Sequence, residues 1–170
     1  MTIVNLPRQE SKSATSALKY RIWMARVRDE VDMATFPTPT AGIIAALDLD
    51  MVLGKGFHYI DCIPNTIKPN AKSVGDVAPL GQLEVTAEVA GLTADTIQFL
   101  YDQNGEEMIL IWEHCETGKK FIAGGACGGV KFSYAELGVL GDYSGAKLSW
   151  KGYPTSGPFF FFDGAVPVVP

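Results

Sequence analysis

Cysteine is scarce in this 170-residue sequence, with Cys62, Cys115 and Cys127 the three present. An odd number at unrelated spacings is no disulfide framework, so the thiols are expected to be reduced and partly buried. Histidine is scarcer still, at His58 and His114. A zinc site drawn from His58, Cys62, His114, Cys115 and Cys127 would need a His-x3-Cys pair and an adjacent His-Cys pair, which match no common ligand spacing. Neighbouring strand residues also point to opposite faces. No metal, cofactor or catalytic residue is therefore assigned. A cysteine nucleophile would need a base and an orienting group beside it, and no motif places them there. Gly54-Lys55-Gly56 lacks the length and the following hydroxyl of a phosphate loop and reads as a turn.

Charge is also thin. Charged residues make up 19% of the chain and sum to −5, against 47% apolar residues. An acidic chain is a poor phosphate binder, which argues against sequence-independent nucleic-acid binding. Little charge with much apolar content points to surface buried against partner chains. No apolar run approaches the length of a membrane span. The start, M-T-I-V-N-L-P-R-Q-E-S-K-S, has no basic opening and no apolar centre, so no secretory leader is expected. The length suits one domain. We expect an N-terminal arm (1–19), a β-rich domain (20–163) and a C-terminal tail (164–170) whose prolines, V-P-V-V-P, disfavour a central strand.

What is abundant is strand pattern. Gln82 to Ala90 alternates Leu83, Val85, Ala87 and Val89 against Gln82, Glu84, Thr86 and Glu88, so one face is core and the other polar. Gly91 ends it. Thr93 is a good N-cap and Asp95 suits the first turn of a short helix over about 93–104. Ile97, Leu100 and Tyr101 form its expected apolar face, flanked by Phe99. Asn104-Gly105 stops it. Glu106 to Cys115 is a strand whose centre, M-I-L-I-W, is apolar on both faces and therefore internal to the fold. A hairpin turn over Glu116–Lys119, a return over Lys120–Ala123, permissive glycines over 124–129 and a strand over Val130–Tyr134 follow. Residues 135–144 read as a loop with one helical turn at 135–137. Ala146–Tyr153 and Phe159–Phe162 are the last strands, and four successive phenylalanines are expected to bury both faces.

The first half is less regular. Tyr20–Arg28 reads as a strand, with helix the alternative. Ile43–Val52 also reads as a strand from its period of two, again with helix left open. Phe57–Ile63 is a strand ended by Pro64. Residues 29–42 and 65–79 read as loops held open by proline. Val31, Met33 and Phe36 in the first of these need burial, and a neighbouring subunit is one place for it. Phe159, Phe160, Phe161 and Phe162 are either core or a subunit contact. The Glu84, Thr86 and Glu88 face is either a solvated surface or a wall that repels a passing polyanion.

The texture of residues 80–163 resembles the tail tube, or major tail, proteins of tailed bacteriophages. It carries L-E-V-T-A-E-V-A-G, a helix ending in N-G, an apolar strand, a turn into G-K-K-F-I-A-G-G, and K-L-S-W-K-G followed by P-F-F-F-F. The resemblance implies a mainly β fold, a β-sandwich or barrel with one short flanking helix and long inter-subunit loops. It implies a structural protein and not an enzyme: hexameric rings stacked into a tube, located in the virion tail and made in the host cytoplasm. Its partners would be itself, the tape measure and adjacent tail proteins. DNA would pass through during genome ejection without specific binding, and no membrane would be involved. Glu84, Thr86 and Glu88 are then the candidates to face the lumen. Either 29–42 or 64–80, with the N-terminal arm, would make inter-ring contacts. Another virion ring protein (a tail terminator or head–tail connector) is the alternative, followed by a monomeric β-rich binding module or small enzyme.

Overall fold

The computed structural model describes residues 20–74, 80–114, 118–125, 128–140, 143–152 and 159–169. The expected N-terminal arm, the turn residues 116–117, and Cys115 and Cys127 lie outside that set. Ten strands and one α-helix follow in chain order: β1 (Arg21–Arg26), β2 (Ile43–Ala45), β3 (His58–Asp61), β4 (Lys68–Val74), β5 (Leu80–Ala90), α1 (Ala94–Gln103), β6 (Glu107–Glu113), β7 (Lys120–Ala123), β8 (Val130–Leu140), β9 (Tyr143–Gly152) and β10 (Phe160–Asp163). The fold is mainly β, as expected. The strands form one mixed sheet in the order β2-β10-β7-β6-β8-β9-β5-β4, with β1 on the other flank of β6 and β3 beyond β1. All pairs are antiparallel except β10 with β2.

Strand β6 organises the molecule. Leu110 pairs with Met24 on one flank and Ala123 on the other, while Met108 pairs with Arg26 and Val130. Its side chains divide by parity. Met108, Leu110 and Trp112 enter a core shared with Ile22, Met24, Leu83, Val85, Phe132 and Trp150. Ile109 and Ile111 enter a second core, closed by Val31, Phe36, Ile44, Leu49, Phe57 and Phe162. The two-sided apolar run thus reflects two-sided burial. Each fully buried aliphatic contributes roughly 1.5–3 kcal/mol. Gly145 lets β9 lie tightly on β5, since a Cβ there would stand 2.0 Å from the Val89 carbonyl oxygen.

Strand β1 settles the first open choice as strand. In the segment 43–52 the strand stops at Ala45. Ala46–Asp48 is a 3-10 turn, and Met51 makes an isolated bridge to Val31. Beyond Ala45 the neighbouring β10 ends, so the period of two has no partner to pair with. Leu49 is buried while Leu47 is 95% exposed, contrary to the single face expected. The connection over 65–79 contains β4, paired along its length with β5. Pro69 is tolerated there because β4 ends the sheet path, where a missing N–H breaks no ladder. Residues 135–140 are not a loop with a helical turn. A β-bulge between Tyr134 and Glu136 absorbs one residue, and β8 continues paired with β9 to Leu140 opposite Tyr143.

Thr93 caps α1, its hydroxyl accepting from the Thr96 N–H at 3.2 Å, and Gly105 takes φ 88° after the last turn. The buried face is Thr96, Phe99, Leu100 and Gln103, while Ile97 and Tyr101 are 49% and 79% exposed. The spacing is helical as expected, but shifted by one position. Two polar members hid it, and the edge-on packing of Phe99 against Phe132 selects it. In β10, Phe162 is buried and Phe160 packs on the second core, but Phe161 is 43% exposed, so the run is not buried on both faces. Phe159 joins Trp112 and Phe121 in an aromatic cluster. The tail docks back just ahead of β3: the Phe57 N–H donates to the Pro167 carbonyl at 2.7 Å.

Candidate functional site

Cross-strand partners share a face, so register turns sequence positions into a surface. On β5, Glu84 lies opposite Lys151 of β9 and Asn70 of β4; Thr86 opposite Ser149 and Lys68; Glu88 opposite Lys147. On β8, Lys131, Ser133 and Glu136 face Lys151, Ser149 and Lys147. Lys72 faces Gln82. The outer surface of this half of the sheet therefore carries Lys68, Lys72, Lys131, Lys147 and Lys151 against Glu84, Glu88, Glu136 and, opposite Lys131 on β6, Glu107. Glu84, Thr86 and Glu88 do share one half-exposed face, but that face is a lattice of both signs with lysines in excess. A purely acidic wall follows from β5 taken alone and not from the assembled sheet.

The lattice is knit by specific bonds. Lys151 Nζ lies 2.9 Å from Glu84 Oε1, and Lys147 Nζ 2.8 Å from Glu136 Oε2. The Glu136 carboxylate raises the Lys147 ammonium above its ordinary value. The Tyr143 hydroxyl donates to Glu88 Oε2. Partial burial and that carboxylate push the Tyr143 phenol up to about 12, so it remains a donor at neutral pH. Solvent screens the two Lys–Glu pairs, and holding long side chains in one geometry costs entropy. These pairs fix side-chain positions more than they stabilise the fold.

A second polar group is buried where β1 turns. Glu30 is 1% exposed. Its Oε2 accepts from the Arg26 N–H at 2.7 Å, and its Oε1 lies 3.3 Å from Arg26 Nη2 and 3.2 Å from His58 Nε2. Arg26 Nη2 also meets Asp29 Oδ2 at 2.9 Å. Burial pushes the Glu30 carboxyl up. The His58 bond, the Arg26 N–H and the charges of both partners outweigh it and hold the group below its ordinary value. The cluster pins the start of the 29–57 segment to β1 and β3, a structural task. Cys62 is buried in the main core, where desolvation raises its thiol far above the ordinary range and keeps it unreactive. Among the described residues no three of His, Cys, Asp and Glu gather to hold a metal ion, and no helix is long and apolar enough to cross a membrane.

Val31 and Phe36 are buried within their own chain, and Met33 packs partly on the same core. As folded they cover Ile109 and Ile111 and leave little for a partner. The apolar surface that stays uncovered lies elsewhere. Leu53 is 99% exposed and Leu47 95%, and Phe161 and Ile43 are each at 43%. Sequence periodicity placed Leu47 inside; Leu53 carries no signal beyond its place before a Gly-Lys-Gly turn. The buried Arg26–Glu30–His58 cluster was equally invisible, because its partners are 28 residues apart. Comparison of this chain with protein-family models, curated proteins and solved structures gives no match.

Proposed function

We propose that this chain is a self-assembling structural subunit of a virion, and specifically the ring-forming subunit of a bacteriophage tail tube. The observation that carries the reading is the 47–53 segment. Its Leu47 and Leu53 stand almost wholly in solvent although the same segment buries Leu49 in the second core. Large aliphatics held out on an ordered segment suit burial against another chain. The resemblance over 80–163 and the mainly β architecture support the same reading. The mixed Lys/Glu lattice is a weaker candidate for a lumen wall than an acidic one, because its surplus lysines would attract passing phosphates. If Glu84, Thr86 and Glu88 face a lumen, their neighbouring lysines must stay tied to carboxylates for DNA to slide.

The test is assembly. Purified full chain is expected to sediment as rings or to form tubes visible by negative-stain microscopy as concentration rises. A particle that stays monomeric up to high concentration overturns the reading. Within assembled tubes, Glu84→Lys with Glu88→Lys is expected to reduce genome delivery more than folding. Unchanged infectivity would remove this face from the lumen.

A further inference from the structure

Between β2, β7 and β10 lies an open cup of about 420 Å³, lined chiefly by Ile43, Lys119, Lys120, Phe161, Asp163 and Gly164. Its floor is apolar. Ile43 and Phe161 are register partners, each 43% exposed, and Phe161 rests on Phe121 with ring centroids 5.0 Å apart. Its rim is mainly cationic. Lys119 Nζ stands 5.5 Å above the Phe161 ring, and Lys120 Nζ donates to the Gly164 carbonyl at 3.1 Å. Asp163 is the one carboxylate in the lining.

A segment of opposite character lies a few residues away. Leu47, Asp48, Asp50, Val52 and Leu53 are all exposed, so two carboxylates stand between exposed aliphatics along it. Among the described residues neither Asp48 nor Asp50 makes an ion pair. The segment does not fill its own cup, since Leu47 and Leu53 are almost fully exposed in their own chain. We propose that the cup receives the Leu47–Leu53 segment of a second copy of this chain. Leucine would cover the Ile43–Phe161 floor and the aspartates would meet the lysine rim. Opposite charges at a rim set orientation and partner choice, while the buried apolar contact supplies most of the affinity. Each copy offers both halves, so the contact can run from copy to copy and close a ring. This deepens the reading of the chain as an assembling subunit and rests on it.

The experiment is sedimentation of the full chain and its variants, with far-ultraviolet circular dichroism and melting as the check on folding. Leu47→Ser with Leu53→Ser is expected to weaken self-association at least tenfold while leaving the melt unchanged. Asp48→Lys with Asp50→Lys, and separately Lys119→Glu, are each expected to weaken it roughly threefold to tenfold. Joining the three charge reversals in one chain is expected to restore association toward the unmodified level. Full assembly in the leucine variant, or failure of the combined reversals to restore it in a folded protein, overturns this contact and leaves the ring reading standing. No assembly of the unmodified chain overturns both.

Discussion

Truncating Ile111 to alanine tests the two-core architecture directly. Ile111 is fully buried and belongs, with Ile109, to the core closed by Val31, Phe36, Ile44, Leu49, Phe57 and Phe162. Removing its outer carbons loses their transfer free energy and leaves a cavity. The sheet pairs Ile111 with Trp23 and Ile122, so its floor cannot collapse without breaking ladders on both flanks. We expect a loss of about 2–5 kcal/mol. With a urea slope of roughly 2–3 kcal/mol/M for a domain of this size, the midpoint should fall by about 0.7–2.5 M. The assay is urea denaturation followed by tryptophan fluorescence, at a concentration where the chain is monomeric. Leu53→Ala is the control: its side chain is exposed, so its change should stay within about 0.5 kcal/mol. A loss below about 1 kcal/mol for Ile111→Ala would refute the reasoning. It would mean that the 29–57 segment lies loosely on β6 and that the second core does not contribute as packed.

Two further outcomes follow from close packing and buried charge. Gly145→Ala forces a methyl group toward the Val89 carbonyl oxygen, so β5 and β9 must part locally; a loss of about 1–3 kcal/mol is expected in thermal melts, and an unchanged melt would contradict the spacing. Glu30 is held below the ordinary glutamate value of 4.5, so it contributes stability that is fully present above that pH and disappears as pH falls through the lowered folded value. Urea midpoints measured from neutral pH downward should decline through that window, and Glu30→Gln should flatten the decline. The same variant should cost about 3–5 kcal/mol at neutral pH, because it removes a buried carboxylate from the Arg26 charge; a smaller cost would mean that the remaining partners of Arg26 suffice.

Much of the strand content was legible because burial on one or both faces writes itself into short-range pattern. The alternation from Leu83 to Val89 marked β5, and the unbroken M-I-L-I-W marked a strand with a core on each side. Thr93 and Asn104-Gly105 bounded the helix through local backbone chemistry. The misreadings share one cause. Proline at position 69 resembles a loop signal until an edge is available, and Ala135 resembles a break until a bulge absorbs it. The 43–52 alternation looks like a strand until its neighbour runs out at Ala45. The helix face was displaced by one position because Phe132, 33 residues beyond Phe99 in the chain, decides which side is inner.

The local pattern by itself determined which segments could be strands, where the helix begins and stops, and that the interior is held by apolar packing. Tertiary structure alone decided which lysine stands beside which glutamate and which leucines remain in water. The physical reason is range. Propensity, capping and periodicity act within a few residues, whereas the charge of a face and the filling of a cup are set by strands paired across 60 or more positions, as Glu84 with Lys151. A stripe that is acidic along β5 becomes a mixed lattice once β4, β8 and β9 are laid beside it. An apolar alternation that promised one buried row instead buries Leu49 and holds Leu47 in solvent.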